Sequence, residues 1–156
     1  QADFGLCFAK NLPASIEFTP LADDRYVAAC RHDHPLARKT HLSWQAYFEQ
    51  DYIGLDRVSG NRTLLDRELA HLTPARPSIC ETRHVTTMLG MVEAGIGIAA
   101  VPAMSMPAGE HSVLRAVPLT DPVVTRTVGL IRLSGRIQSY VAAELEKLII
   151  EQYPSG

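Results

Sequence analysis

A chain of 156 residues, 46% hydrophobic and 21% charged with a formal net charge of −2, has the makeup of an ordinary folded protein. It is long enough to bury ~70% of its unfolded surface without staples, as one domain or two small subdomains. It holds no basic block of the kind that marks nucleic-acid binding and no apolar run of ~18 residues that would cross a bilayer, and its three cysteines (Cys7, Cys30, Cys80) are too few and too scattered for a disulfide framework and suit a reducing cytosol.

In chain order, the first residues, QADFGL, lack a basic stretch and a long apolar core, so no signal peptide is expected. Residues 4–8 read as a strand and residues 11–14 as a loop. RYVAAC, residues 25–30, is the next strand, and Pro35 interrupts pairing after it. Ser43 is placed to cap a helix over residues 44–49. DYIGL, residues 51–55, reads as a strand. A helix is expected over residues 61–72, with Leu65, Leu69 and Leu72 at i, i+4 and i+7. Pro74 and Pro77 bracket a loop, and residues 78–81 form a strand.

The stretch MLGMVEAGIGIAAVP, residues 88–102, is the most informative. Val85, Met88, Leu89 and Val92 fall on one helical face. Gly95 stops that helix, because glycine enters the left-handed conformation without steric cost. Residues 96–101 are then an unbroken apolar run that ends at Pro102, the pattern of a strand covered on both faces in a parallel sheet. Residues 103–112 form a loop, residues 113–119 and 125–133 two more strands, and a terminal helix from Ser134-Gly135 carries an apolar stripe of Ile137, Val141, Leu145, Leu148 and Ile149. Strands alternating with helices imply an α/β fold, and open α/β sheets bind ligands beyond the carboxyl ends of their strands.

Two strand-to-helix junctions are candidate binding elements. In the first, LDRVSGNRT, a helix start offers its free N–H groups beside Ser59, Gly60, Asn61 and Thr63, with Arg57 and Arg62 as charges. In the second, CETRHVTT, Arg83, His84, Val85 and Thr86 stand at another helix start. In one parallel sheet the two point the same way and together suit a carboxylate. Each also has a plainer reading, an ordinary cap with surface arginines. Cys30, His32 and His34 alternate along an extended segment, but no second ligand pair with matched spacing accompanies them, so no metal site is expected. The chain contains no GxSxG, HExxH, GxxxxGK[ST] or GxGxxG motif, and neither enzyme chemistry nor a cofactor is expected. The four methionines read as core and loop filler.

The segments Asp3-Phe4-Gly5-Leu6, Phe18-Thr19-Pro20-Leu21 through His34-Pro35-Leu36-Ala37, and Leu89 through Pro102 (LGMVEAGIGIAAVP) resemble, in order and spacing, the C-terminal effector-binding domain of LysR-type transcriptional regulators. The resemblance runs over nearly the whole chain. It implies a periplasmic-binding-protein-like fold of type 2: two α/β subdomains joined by crossing strands, with a small effector between them. Residues 23–120 would form the second subdomain, and residues 1–22 with 125–156 what this chain holds of the first. The effector would meet the two junctions at Arg57 to Thr63 and Arg83 to Thr86, and arginines there favour an anion. The family's winged helix-turn-helix has no counterpart in this sequence, nor do the opening elements of its first subdomain, so the chain is expected to be a piece of a longer cytoplasmic regulator. DNA would be bound only through the absent domain, and self-association as a dimer or higher assembly is expected. Two other readings are a solute-binding protein of related fold and a thiol-based redox sensor of the same family. The second requires an exposed, acidic thiol, whereas Cys30 and Cys80 fall within expected strands.

Overall fold

A computed structural model of the chain describes residues 2–9, 12–109 and 113–153. In chain order its elements are β1 (Gly5–Phe8), β2 (Ile16–Arg31), β3 (Leu42–Ser43), α1 (Trp44–Phe48), β4 (Tyr52–Leu55), α2 (Gly60–Glu68), β5 (Cys80–Thr82), α3 (Val85–Glu93), β6 (Ile98–Pro102), β7 (Leu114–Thr120), β8 (Thr125–Leu133) and α4 (Tyr140–Gln152). The fold is α/β and falls into two compact units, one of residues up to Asp24 with those from Thr125 onward, the other Arg25–Val124.

In the larger unit the strand order is β3-β7-β2-β6-β4-β5. β4 runs parallel to both β5 and β6, β3 runs parallel to β7, and β2 runs antiparallel to both β6 and β7. The expected sheet is therefore mixed, not purely parallel: the RYVAAC strand inserts in the opposite sense. Side chains on a strand alternate between faces, and two cores result. Tyr26, Ala28 and Cys30 join Ile98 and Ala100 beside Trp44, Tyr47 and Tyr52. Val27 and Ala29 join Ala99 and Val101 beneath Met88, Leu89 and Val92 of α3. All five residues of β6 are buried, which is why their sequence reads as one apolar run.

Ser43 does cap α1, accepting from the Ala46 N–H at 3.2 Å. Helix α3 ends as read, with Gly95 at φ 79°. The Gly95 N–H donates to Val92 O at 2.9 Å and the Ile96 N–H to Met91 O at 3.1 Å, the two bonds of a Schellman cap. Ile96 thus belongs to the cap, and the strand begins only at Ile98. Three other boundaries differ by more than two residues. Strand β2 starts at Ile16, ten or so residues before the RYVAAC run, because Pro20 and the acidic pair Asp23-Asp24 mask its first half. Helix α2 ends at Glu68, although Leu69 beyond it is still buried. Helix α4 starts at Tyr140, capped by Ser139, while Gly135 sits at φ 72° in the turn before it.

The smaller unit holds β1 paired antiparallel with β8, β8 beside β2, and α4. Asp24 is buried there and takes two bonds from Arg126, from Nε at 3.1 Å and Nη2 at 2.9 Å. The Arg126 guanidinium also lies 5.2 Å from the Phe8 ring centroid, a cation–π distance.

Candidate functional site

Because β4 and β5 are neighbours in parallel, with Leu55 opposite Thr82, the two junctions read from the sequence come out side by side. The link is direct: the Asp56 N–H donates to Thr82 O at 3.0 Å. Helices α2 and α3 begin just beyond the carboxyl ends of these two strands, at N-caps Ser59 and His84, and pack on opposite faces of the sheet. Neither N-cap side chain bonds its own first turn, and neither first turn contains an acidic residue. Helix N-termini carry partial positive charge, which the Asp56 carboxylate beside the Ser59 N–H offsets in part at the first start.

The side chains around these starts fall into three groups. Ser59, Gly60 and Val85 are half-buried, while His84 and Thr86 are exposed. Asn61 turns back into the fold, its Oδ1 accepting from the buried Tyr26 hydroxyl at 2.7 Å, which ties the first turn of α2 to β2. The exposed Thr63 hydroxyl donates to Ser59 O at 3.3 Å, one turn back along the helix.

The arginines are mostly engaged as struts. Arg62 donates to Leu55 O at 2.9 Å and pairs with Asp66 at 2.7 Å and Glu81 at 3.4 Å. Burial works against its charge, but Asp66 and Glu81 outweigh that and raise its pKa. Arg83 reaches Asp56 at 3.4 Å, and Asp56 in turn accepts from the Ser59 N–H at 3.1 Å. The sequence reading names both arginines as ligand charges; in the structure each also ties its junction together, Arg62 through Leu55, Asp66 and Glu81 and Arg83 through Asp56. Arg57 differs: it is exposed, and no described residue bonds or pairs with it. Tyr26, Asp56 and Glu81 were missed from sequence because each acts through a partner on another element. Only Asp56, three residues before an N-cap, carried a local signal.

Cys30 is not a candidate for a reactive thiol. Cys30 is fully buried, and desolvation pushes its pKa up to about 11, the opposite of the acidified thiol a redox sensor needs. Among the described residues no cluster of His, Cys, Asp or Glu is arranged to hold a metal ion. Among the described residues no helix is long and apolar enough to cross a membrane.

The family model for the LysR substrate binding domain matches residues 1–154. The Escherichia coli HTH-type transcriptional regulator YbhD is 40% identical over 150 residues, 96% of this chain and 47% of the relative. The chain thus spans about half the length of such relatives. Among solved structures, the effector binding domain of QuiR in complex with shikimate superposes with a TM-score of 0.78 at 23% identity, over 97% of this chain and 71% of the other. The Synechocystis PCC6803 CcmR regulatory domain in complex with 2-PG gives 0.81 at 18% identity, over 98% and 74%. At that identity the two likenesses show the fold, that of LysR effector-binding domains, periplasmic-binding-protein-like and of type 2.

Proposed function

The chain belongs to the LysR substrate binding domain family, and on that premise we propose that it is the ligand-sensing module of a transcriptional regulator, holding a small anionic effector at the paired starts of α2 and α3. The observation that supports this reading is the parallel pairing of β4 with β5, whose carboxyl ends lead into two helix N-termini without side-chain caps. Backbone N–H groups of both first turns, the Ser59 and Thr86 hydroxyls and the His84 ring are the donors. Arg62, Arg83 and Asn61 keep the two starts in place, and Arg57 supplies the mobile charge. Solved relatives named for bound shikimate and 2-PG support a small-molecule effector.

The module works by binding, not by chemistry, and takes no cofactor. Relatives named as HTH-type regulators are about twice its length, so DNA recognition is assigned to the part of the regulator outside this chain, and the whole acts in the cytoplasm. Self-association is included in the reading on the strength of the exposed apolar face of α4.

The test is a thermal-shift screen against small carboxylates, followed by calorimetry on the hit. A ligand at 100 times its dissociation constant stabilises by ~2.7 kcal/mol. Ser59→Ala and Thr86→Val, each removing one donor, are expected to weaken binding by ~1 kcal/mol apiece. Unchanged affinity in both variants would place the effector elsewhere.

A further inference from the structure

Arg25 is the half-buried arginine that the fold leaves without a counter-charge among the described residues. Arg31, Arg62, Arg126 and Arg136 are half-buried as well, and each pairs with a carboxylate, that of Asp33, Asp66, Asp24 and Asp3 respectively. Arg25 bonds or pairs with no described residue, and its Nε is buried without a hydrogen-bond partner. A buried N–H left unpaired weakens a fold, so such a group calls for a reason. The acids beside it are committed elsewhere. Asp24, which alternation turns to the other face of β2, takes two bonds from Arg126, and Asp23 accepts from the Thr127 hydroxyl at 2.7 Å.

Its place in the larger unit identifies what can meet it. Tyr26 stands opposite Pro102, the last residue of β6, so Arg25 lies one step past the carboxyl end of that strand. Tyr26 reaches Asn61 on the α2 face, whereas Val27 packs beneath α3. Alternation along β2 therefore turns Arg25 to the α3 face. Helix α3 runs in the same sense as β2, because Arg31, on that same face, donates to Glu93 O at 2.8 Å in the last turn of the helix. Back from that contact β2 covers ~20 Å to Arg25, and α3 covers ~12 Å to Val85. Arg25 thus falls beyond the level of the first turn of α3, at the edge where open α/β sheets bind ligands. Packing around Nε holds the guanidinium, while its Nη groups stay accessible and unbonded. A cation fixed in this way is ready for the two oxygens of an oxyanion.

We infer that Arg25 is a further effector-binding residue, whose Nη groups take a carboxylate or phosphate oxyanion at the α3 start. Arg25 shares a face with α3 and not with α2, so, given the helix-start reading on which this rests, the charged end of the effector belongs beside His84, Val85 and Thr86. Arg57 is an exposed and movable charge; Arg25 is set in place before the anion arrives.

The probes are acetate and inorganic phosphate, each titrated into the whole chain at constant ionic strength and followed in ¹⁵N correlation spectra. The Arg25 Nε–H signal, assigned by its loss in Arg25→Lys, and the Val85 amide signal are expected to move with one midpoint, and the anion that binds more tightly tells carboxylate from phosphate. Arg25→Met keeps an unbranched stem and removes the guanidinium. Read at the Val85 amide, it should weaken binding ~tenfold or more, the loss of a charge-assisted bond, and Arg25→Lys should recover part of the affinity. Arg25→Met also removes the unpaired N–H, so without anion it should melt ~2 °C above the parent, where loss of a structural residue would lower the melting temperature. Full affinity in Arg25→Met, or an Arg25 signal that stays still while the Val85 amide moves, would overturn the inference and leave the helix-start site standing. Movement at Arg25 with none at Val85 or Thr86 would overturn the placement at α3 and, with it, the helix-start reading. Silence at every one of these signals would overturn both.

Discussion

Tyr47 shows how one side chain can hold both a core and a ledge of backbone. It is 2% exposed, and its hydroxyl oxygen accepts from the Ala100 N–H at 2.9 Å. That N–H sits in a strand buried on both faces, where an unpaired donor costs ~1–3 kcal/mol. Tyr47→Phe keeps the ring packing and removes only the acceptor, so urea denaturation should show a loss of that size with an unchanged slope. Burial also raises the Tyr47 pKa well above the usual tyrosine value, so the hydroxyl stays neutral through the ordinary range and the bond does not titrate. Glu17 does titrate. Hydrogen bonds from Arg132 at 2.6 Å and Ser134 at 3.0 Å hold its carboxyl below the usual glutamate value. A carboxylate whose pKa is lower folded than unfolded stabilises above the unfolded value, and the contribution disappears as pH falls through the folded one. A carbon-detected titration should therefore place the Glu17 midpoint below 4.5, and Arg132→Gln should bring it back towards that value.

At the scale of elements, glycines of one helix-to-strand unit separate two kinds of constraint. Gly90 lies within α3, and a Cβ there would meet nothing within 4 Å. Gly90→Ala should stabilise by ~0.5–1 kcal/mol through helix propensity alone. At Gly97 a Cβ would stand 2.6 Å from the backbone oxygen of Asp51, the same oxygen that accepts the Ile98 N–H at 3.0 Å. Gly97→Ala must therefore push β6 from the segment before β4, and a loss of ~1–3 kcal/mol is expected. Melting both variants beside the parent checks the opposite signs. This unit was the most legible part of the sequence because its determinants are local: a helical stripe, a left-handed glycine and an apolar run lie within fifteen residues. The first half of β2 was illegible for the converse reason, since Pro20 and Asp23-Asp24 argue locally against a strand that tertiary pairing imposes. The start of α4 was misread because Ser134-Gly135 carries the letters of a cap, yet Gly135 takes a positive φ and Ser139 does the capping, accepting from the Ala142 N–H at 3.3 Å.

Across the whole molecule, the placement of the candidate site was legible and its internal wiring was not. Two strand-to-helix junctions can be read from spacing, and parallel pairing puts them side by side. The Arg62–Asp66 pair follows the local i,i+4 spacing, but that Arg62 would also reach Glu81, or that Asn61 would face Tyr26, depends on residues 19 and 35 positions away, beyond any local pattern. The same applies to α4. Its stripe reads as one apolar face, and along it Val141, Leu145 and Leu148 are 75%, 50% and 57% exposed. These three follow one helical face at i, i+4 and i+7, and Tyr140 and Ile137 extend the exposed apolar surface. Strand β1 stands at the end of the sheet order, so the smaller unit also offers an unpaired strand edge among its described residues. A contiguous apolar patch marks an interaction surface, and an open edge invites pairing with another chain. Light scattering across a concentration series should therefore show the mass rising above that of one chain. Leu145→Lys with Leu148→Lys, on an exposed face where neither lysine is buried, should return it to a monomer without lowering the melting temperature. Association that persists in the double variant would shift the contact to the β1 edge, and Leu6→Lys, at a position already 58% exposed, would then be the change that abolishes it. A chain that stays monomeric at every concentration would remove self-association from the functional reading while leaving the helix-start proposal untouched.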